Sequence, residues 1–442
     1  MQNTLISPEL IDQAISENGI KNVGTASIRE VKKLINDIED KSKVKFIRME
    51  MGIPGLPAVK IGVDAEIEAL RNGIASLYPE VYGDDELKKE ISRFAKNFIN
   101  IDVSPTSCLP TVGSMQGSFA SFLTVSRAQK GKDTTLFIDP GFAVHKQQHK
   151  LLQIPFESFD VYSHRGDKLR EKLESYLSKG NISSIFYSNP NNPSWICFTD
   201  EELRTIAELA NKYNVIVMED LAYLGMDFRV DIGTPGVPPY QATVAHYTDN
   251  YILFISSSKA FSYAGQRMGM MVISDKLFKT KFPDFTRFYN NTEFGKAMIY
   301  ETIYPLSSGT AHSPQFGLRA ILKACNEGRY NFVHETKVYA QKAHELKRMF
   351  LENGFHIVYD RDMDKDIADG FYFTVGYGQL SGNDLLHKLL YFGISAISLS
   401  ITGSERQGIR VCVSLIPVED FPELEKRLKS FNSGMSENHV GE

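Results

Sequence analysis

Five short apolar segments that alternate with helical segments are the feature that most restricts how this chain can fold. Each segment predicts a buried strand, and they lie at 135–139, 182–188, 215–220, 251–257 and 268–274. Between the second and the third, Thr199–Tyr213 begins with a capping box and carries Ile206 and Leu209 on one face. Strands that alternate with helices are typical of a mostly parallel sheet covered on both faces. We therefore expect an α/β fold with a large domain built on such a sheet.

A change of pattern after about residue 325 predicts a second, smaller domain. A long charged helix at 334–352 is followed by apolar runs and one further helix, at 355–359, 370–375, 384–392 and 408–415, which indicates an α+β unit. The predicted boundaries are an N-terminal arm at 1–45, a small α+β domain at 46–75 and 325–432, a large domain at 76–324 and a disordered tail at 433–442.

The composition is that of a globular protein and disfavours several classes of function. Hydrophobic residues make up 42% of the chain, which is too many for a mainly disordered protein. The 49 basic and 54 acidic residues give a net charge of −5, which argues against a partner such as nucleic acid or an anionic membrane. No segment approaches the roughly 18 apolar residues of a membrane span, and residues 1–20 do not resemble a signal peptide, so we expect a cytoplasmic protein. The four cysteines are scattered, which predicts neither a disulfide framework nor a metal site.

Polar side chains follow the predicted strands at their carboxyl ends, where ligands bind in open α/β sheets. The second strand leads into SNPNNP at 188–193, the third ends in Asp220 with Tyr223 just beyond it, and the fourth is followed by Lys259. The segment TVGSMQG at 111–117 opens a helix with glycine and serine, which is a suitable cradle for a phosphate group. Taken one at a time, each of these residues could equally belong to a turn, a helix cap or the surface.

In combination, these segments resemble the fold-type I pyridoxal-phosphate enzymes, specifically the class I/II aminotransferases. The matching segments follow the family order, with TVGSMQG at 111–117, SNPNNP at 188–193, EDLAYLGMDF at 219–228, SSSKAFSYAGQRMG at 256–269 and IRVCVSL at 409–415. Their spacing also fits, because Arg267 lies eight residues after Lys259 and Tyr223 lies three after Asp220. The resemblance covers about residues 45–430 and implies the cofactor pyridoxal 5'-phosphate.

The resemblance implies how the chain would hold this cofactor. Lys259 is the expected Schiff-base lysine, and it is also the expected catalytic base at the substrate α-carbon. Asp220 is expected to keep the pyridine nitrogen protonated, and Tyr223 and Asn192 to bind the phenolic oxygen. Phe142 is expected to stack on the ring. The residues expected around the phosphate are Gly113, Ser114, Met115, Ser256, Ser258 and Arg267.

Further residues are implied on the substrate side and at a subunit boundary. Arg410 is expected to bind the substrate α-carboxylate, with Asn192 beside it and Gly52 in the segment that closes over it. Tyr78 is expected to reach the phosphate of the neighbouring subunit in a homodimer with shared active sites. The alternative is that Tyr78 only packs and that Tyr82 has this role.

Two departures from the family pattern concern the substrate. Trp195 stands where the family commonly has glycine, and we expect it to line the substrate pocket or its rim, with plain core packing as the alternative. Aspartate-type members carry a second arginine before a proline-containing loop, whereas the comparable stretch 303–314 has no arginine and only His312 as a cation. The sequence therefore does not favour a dicarboxylate-specific enzyme.

The resemblance implies an enzyme of amino acid metabolism that moves an amino group between an L-amino acid and a 2-oxo acid through a Schiff base on Lys259. The same cofactor residues would also serve a lyase that eliminates a β or γ leaving group, such as a C–S lyase, so this alternative stays open. A third alternative is a non-catalytic regulator that binds the cofactor, although the N-terminal arm is too short for a DNA-binding domain and a linker.

Overall fold

The computed structural model describes residues 4–436, and the chain divides into two compact units. Leu56–Asn191 and Cys197–Thr336 form one of them, which we call the large unit. Met1–Gly55, Asn192–Ile196 and Lys337–Glu442 form the other, which we call the small unit. Within residues 4–436, no helix combines the length and the apolar character needed to cross a membrane.

The strands are β1 (Ile47–Arg48), β2 (Cys108–Val112), β3 (Thr134–Asp139), β4 (Phe156–Asp160), β5 (Ile182–Ser188), β6 (Ile216–Leu221), β7 (Tyr251–Ser256), β8 (Met268–Ile273), β9 (Phe355–Ile357), β10 (Arg361–Asp362), β11 (Lys365–Asp366), β12 (Tyr372–Tyr377), β13 (Ile394–Ser395), β14 (Ile397–Ser398) and β15 (Ile409–Cys412).

The helices are α1 (Pro8–Glu17), α2 (Ile28–Ser42), α3 (Lys60–Arg71), α4 (Asp85–Phe94), α5 (Gly113–Val125), α6 (Ala143–Leu152), α7 (Asp167–Leu177), α8 (Asp200–Tyr213), α9 (Ser257–Ala260), α10 (Asp275–Lys279), α11 (Phe294–Lys296), α12 (Tyr304–Ser307), α13 (His312–Asn326), α14 (Phe332–Thr336), α15 (Val338–Glu352), α16 (Gly382–Leu390) and α17 (Phe421–Ser436).

The large unit is built on a seven-stranded sheet in the order β2-β8-β7-β6-β5-β3-β4. The strands from β7 to β4 run parallel, whereas β8 is antiparallel to both of its neighbours. Every residue of β3, β5, β6, β7 and β8 is buried, as expected for strands covered on both faces. The predicted α/β fold with a mostly parallel sheet is confirmed.

The five predicted strands are confirmed to within one residue at their ends, and two further strands, β2 and β4, were not predicted. Both lie at the edges of the sheet, where β2 contains Pro110 and β4 is only partly buried. The helix predicted to open at Thr111 begins at Gly113, because Thr111 still belongs to β2. The helix predicted at 334–352 is interrupted at Lys337, between α14 and α15.

The small unit contains an antiparallel sheet in the order β14-β15-β12-β9 and a parallel pair, β1 with β13. Residues 4–45 fold within this unit, and the backbone N–H groups of Leu5 and Ile6 both donate to the Tyr391 carbonyl at 3.0 Å. The domain boundaries drawn from the sequence stay a prediction. α17 extends to Ser436, and the rest of the predicted tail, 437–442, lies outside the described residues.

Replacement of Thr199 by alanine tests the capping box of α8. The Thr199 hydroxyl accepts a hydrogen bond from the Glu202 N–H, and the Glu202 carboxylate accepts one from the Thr199 N–H. Thr199→Ala leaves a helix N–H without its acceptor, so we expect a loss of about 1 kcal/mol in the free energy of unfolding. Urea unfolding followed by circular dichroism measures this, and Thr199→Ser, which keeps the hydroxyl, should stay close to wild type. Equal midpoints for Thr199→Ala and wild type would contradict this role of the cap.

Candidate active site

Asp220 is a buried carboxylate without a cation, at the carboxyl edge of the large sheet. It lies near the end of β6, in register with Ser188 on β5 and with Phe254 on β7. Its one hydrogen bond among the described residues comes from the Ala222 N–H at 3.1 Å, and no ion pair accompanies it. Burial raises the pKa of Asp220 to about 7, which the single N–H donor only partly offsets. Such a group favours a positively charged or proton-donating ligand.

The neighbouring carboxylate of Glu219 shows what a satisfied buried acid looks like in the same strand. It accepts hydrogen bonds from the Thr243 hydroxyl, from the Val244 N–H at 3.1 Å and from the Asn189 amide at 3.3 Å. These donors explain Glu219 as a structural residue. Asp220 has no comparable set of donors, which distinguishes it as the acid available to a ligand.

Lys259 is brought to the same sheet edge by the pairing of β6 with β7. The residue lies on the short helix α9, which begins directly after β7, and it is half-buried. The Ser256 hydroxyl accepts a hydrogen bond from the Ser258 N–H at 3.1 Å, and the Ser257 hydroxyl donates to the Met268 carbonyl at 2.7 Å. These bonds fix the turn that carries the lysine. Tyr223, also buried, lies in the turn that follows β6.

The N-terminus of α5 and Arg267 form a cradle suited to a phosphate group. Gly113 begins the helix with φ +61°, and a Cβ atom there would lie 2.6 Å from Nη2 of Arg267. A Cβ on Gly269 would lie 2.6 Å from the Ser114 backbone nitrogen, so glycine is required on both sides. The buried Ser114 hydroxyl has no hydrogen-bond partner among the described residues. Helix N–H groups, a free hydroxyl and a guanidinium are the donors that phosphate prefers.

Phe142 and Asp220 line one cleft of the large unit, together with Tyr187 and Ser188. The Phe142 ring meets the His145 ring edge-on, with centroids 5.5 Å apart. Burial lowers the pKa of His145 to about 3, so this imidazole is neutral and packs as an aromatic ring. A flat aromatic wall and a carboxylate in one cleft suit a heteroaromatic ring with a basic nitrogen.

In the small unit, Arg410 is a buried guanidinium without an acidic partner. It lies on β15 with 2% of its surface exposed, and it makes no ion pair with any described residue. Nη1 donates to Oδ1 of Asn192 at 3.2 Å, Nη2 donates to the Glu50 carbonyl at 2.7 Å, and Nε has no partner among residues 4–436. An uncompensated buried charge is costly, so this arginine is suited to binding an anion.

The aromatic ring of Tyr372 lies 4.3 Å from the Arg410 guanidinium, and this residue was missed by the sequence analysis. Its hydroxyl lies 2.0 Å from where a Cβ atom on Gly52 would be, so a larger residue at position 52 would require Tyr372 to move. Thr374 pairs with Arg410 across β12 and β15, which places Tyr372 diagonally opposite on the same face. Side chains alternate between the two faces of a strand, so pairing β12 with the strand of Arg410 could have identified Tyr372 from the sequence.

Trp195 is fully buried in the small unit, in a left-handed backbone conformation with φ +66°. Its indole packs against Gly370 and approaches the Tyr372 ring with centroids 6.0 Å apart. Trp195 therefore packs as a core residue next to Tyr372, the residue that contacts the Arg410 guanidinium. A part for Trp195 in lining the substrate pocket stays a prediction.

Tyr78 and Tyr82 differ in how far the described chain engages them. Tyr78 is 92% exposed, whereas the Tyr82 ring packs on the core and receives the Lys88 ammonium at 4.5 Å from its centroid. Tyr82 thus has a packing role within its own chain. The expected role of Tyr78 toward a neighbouring subunit stays a prediction.

Comparison with known proteins identifies the family. The family model described as aminotransferase class I and II matches residues 45–428. The chain belongs to this family. An aspartate aminotransferase of Pyrococcus horikoshii is 25% identical over 259 residues, which are 58% of this chain and 61% of that protein. An LL-diaminopimelate aminotransferase of Natranaerobius thermophilus is 22% identical over 351 residues, 78% of this chain and 82% of that protein.

The match to the archaeal relatives is partial, since the alignment spans less than two thirds of the length of the Pyrococcus horikoshii protein.

Solved structures of the family match over most of the chain. An alanine aminotransferase from Pyrococcus furiosus superimposes with a TM-score of 0.75 at 18% identity, covering 95% of this chain and 99% of that one. A Thermus thermophilus aspartate aminotransferase double mutant gives a TM-score of 0.73 at 14% identity, covering 92% and 96%. At these identities the structures establish the fold.

The stability of the cofactor-free protein should depend on Asp220 in a pH-dependent way. The folded pKa of about 7 exceeds the usual Asp value of 3.8, so the folded state loses stability as pH rises from about 4 through 7. Asp220→Asn removes this penalty, which is about 4 kcal/mol at most, less the cost of burying an unpaired amide. We expect the cofactor-free variant to melt above wild type at pH 8 and the gap to close toward pH 4.

Thermal melts across this pH range measure the difference, with Glu219→Gln as the matched control. Burial raises the pKa of Glu219 to about 7 as well, but its carboxylate accepts three hydrogen bonds, and the amide of a glutamine would have to face the Asn189 amide, so Glu219→Gln should not be more stable than wild type at pH 8. A gap between Asp220→Asn and wild type that does not vary with pH would contradict the titration of Asp220.

Proposed function

We propose that this protein is a pyridoxal-phosphate-dependent aminotransferase that moves an amino group between an L-amino acid and a 2-oxo acid. The observation that carries the proposal is Asp220, a buried carboxylate with no cation, at the sheet edge that also presents Lys259. A structural acid in that position would be expected to have the donors that Glu219 has. Membership of the class I and II aminotransferases supports the same assignment.

The residues of the large unit fit the cofactor group by group. Asp220 would hold a proton on the pyridine nitrogen, Phe142 would cover one face of the ring, and Tyr223 would bind the phenolic oxygen. The phosphate would be bound by the N-terminus of α5, by Arg267 and by the serine hydroxyls, which are Ser114, Ser256 and Ser258. When bound, pyridoxal phosphate supplies an aldehyde that condenses with amines and a ring that accepts the electron pair released at the substrate α-carbon.

Lys259 would have two successive tasks. Its amine would hold the cofactor covalently, through the cofactor's aldehyde, until substrate binds. Once free, Nζ would act as the base that takes the proton from the substrate α-carbon and as the acid that later donates it. The neighbouring Ser256, Ser257 and Ser258 are buried, which would limit the access of water to this amine.

In the small unit, Arg410 would bind the α-carboxylate of the substrate, with Gly52 and Asn192 beside it. The guanidinium is already oriented by the Glu50 carbonyl and by Asn192, so little ordering is needed when a carboxylate arrives. The related proteins are named for different amino donors, and an α-amino carboxylate is what these donors share. The proposed substrate class is therefore an α-amino acid.

We further propose a homodimer that works in the cytoplasm. The exposed ring of Tyr78 supports a contact with a second copy of the chain. No disulfide joins any of the four cysteines, which all lie within residues 4–436, and this supports a reducing compartment.

An absorbance spectrum of the purified protein with added pyridoxal phosphate tests the Schiff base. Wild type should show a visible absorption band that disappears when the correct amino acid is added, with one 2-oxo acid released per site. Lys259→Ala should lack this band, whereas the exposed-surface control Lys276→Ala should keep it. A band that persists in Lys259→Ala would refute the assignment. Continuous ammonia release without a 2-oxo acid acceptor would favour the lyase instead.

Replacement of Arg410 by methionine tests the carboxylate site. Loss of a buried charge-assisted pair costs about 3 kcal/mol or more, so we expect KM for the amino acid to rise at least 100-fold. Arg410→Lys keeps the charge but not the planar guanidinium, so its KM should lie between that of wild type and that of Arg410→Met. The measurement is steady-state KM, together with the affinity for propionate and for its uncharged analogue propionamide. An unchanged preference for propionate in Arg410→Met would contradict the role of this arginine.

A further inference from the structure

The side chain of Glu50 forms an ion pair with Arg48, and its backbone carbonyl contacts the Arg410 guanidinium. Its carboxylate has no exposed surface, and it is paired with Arg48, whose Nε and Nη2 both lie 2.9 Å from Oε1. The Ser395 hydroxyl donates to its other oxygen at 2.5 Å. The backbone carbonyl of Glu50 accepts the hydrogen bond from Nη2 of Arg410. A shift of Glu50 would therefore move the group that orients Arg410.

Arg48 in turn is fastened to the N-terminal helix α2. Its Nη1 donates to Oδ1 of Asn36 at 2.7 Å, and its Nη2 donates to the Lys32 carbonyl at 3.3 Å. The Glu39 carboxylate lies 3.4 Å from Nη1. α2 is itself held in place by its buried apolar face, formed by Val31, Leu34, Ile35 and Ile38. A continuous series of polar contacts thus runs from α2 through Arg48 and Glu50 to Arg410.

Loss of the ion pair between Arg48 and Glu50 should change the position of the Glu50 carbonyl. The Glu50 carboxylate is bound by Arg48 and by the Ser395 hydroxyl, so removal of Arg48 leaves a buried charge with one neutral donor. The segment around Glu50 must then relax so that the carboxylate reaches water. The Glu50 carbonyl moves with it, and a displacement of about 1 Å at a substrate-orienting group is enough to weaken function strongly.

We propose that Arg48 and Glu50 are positioning residues for the substrate-carboxylate site, and that residues 28–42 act on substrate affinity through them. The proposal rests on the proposed function, because it takes Arg410 as the partner of the substrate carboxylate. It assigns a role to the N-terminal segment that precedes the region matched by the family model.

Arg427 provides a matched control in the same unit. Arg48 lies on β1 and Ser395 on β13, and Arg427 holds this pair of strands together from another side chain. Its Nη1 donates to the carbonyls of Lys45 at 2.9 Å and Gly393 at 2.8 Å, just before β1 and β13. It also forms an ion pair with Glu423, at 2.8 Å. Among the described residues, no hydrogen bond or ion pair joins Arg427 to Glu50. Loss of Arg427 therefore tests whether loosening these strands is by itself enough to disturb Arg410.

Trp195 offers a readout that does not depend on turnover. It is the only tryptophan of the chain, and it lies beside Tyr372, which packs under the Arg410 guanidinium. Titration of its fluorescence with propionate, with propionamide as the uncharged reference, reports carboxylate binding in the holoenzyme and in the cofactor-free protein. Steady-state kinetics add the comparison of KM with kcat.

The decisive set compares Arg48→Met, the double variant Arg48→Met/Glu50→Gln and Arg427→Met. We expect Arg48→Met to weaken propionate binding about tenfold and to raise KM in proportion, with kcat at saturation nearly unchanged. The double variant removes the unpaired charge, so it should recover to within about threefold of wild type. Arg427→Met should bind propionate as wild type does. Unaltered affinity in Arg48→Met, an equal loss in Arg427→Met, or no recovery in the double variant would overturn the proposal.

Asn36→Ala keeps the test decisive even if Arg48→Met does not fold. Asn36 is exposed and touches Arg48 without touching Glu50, so its loss should weaken propionate binding two- to fivefold and leave the fold intact. Wild-type affinity in Asn36→Ala would refute the link to α2. Arg410→Met separates the two levels of argument. If that variant keeps wild-type affinity for propionate, the proposed carboxylate site itself is wrong; if only Arg410→Met weakens binding, the positioning role alone is wrong.

Discussion

The parallel pairing of β5, β6 and β7 is the constraint on which the large unit depends. These three neighbouring strands are buried along their whole length, as expected for the centre of a sheet that is covered on both faces. The register then leaves no freedom in where the residues after each strand lie. Asp220 stands beside Ser188, and the turn with Lys259 begins one strand away. Hydrophobic burial along the strands thereby determines where polar chemistry is available.

Most of the large unit could be predicted from the sequence because its signals are local. A continuous apolar run or a capping box is visible within 15 residues and does not depend on the rest of the fold. The two strands that escaped prediction are edge strands, where proline and partial exposure weaken the apolar signal. The expected roles of Lys259, Asp220 and Arg267 came from the resemblance to a known family, which rests on short motifs that are also local in sequence.

The parts of the candidate site that could not be predicted arise from contacts between distant segments. The Glu50 carbonyl and the Arg410 guanidinium are 360 residues apart in sequence, and the local sequence at either position does not indicate their contact. Tyr372 gains its importance only from the pairing of β12 with β15. The small unit assembles several chain segments in this way, so its polar contacts emerge only from its tertiary structure.

Trp195 and Gly370 together illustrate how such distant positions become dependent on each other. A non-glycine residue at φ +66° costs about 1–2 kcal/mol in backbone strain, and glycine at position 195 would relieve it. Loss of the indole would also empty a packed volume, at a cost of about 3–5 kcal/mol. A Cβ on Gly370 would lie 2.1 Å from the indole, so neither residue can change freely while the other remains. The two positions share one volume, and related sequences should therefore exchange them as a pair, with a side chain at 370 wherever 195 is glycine.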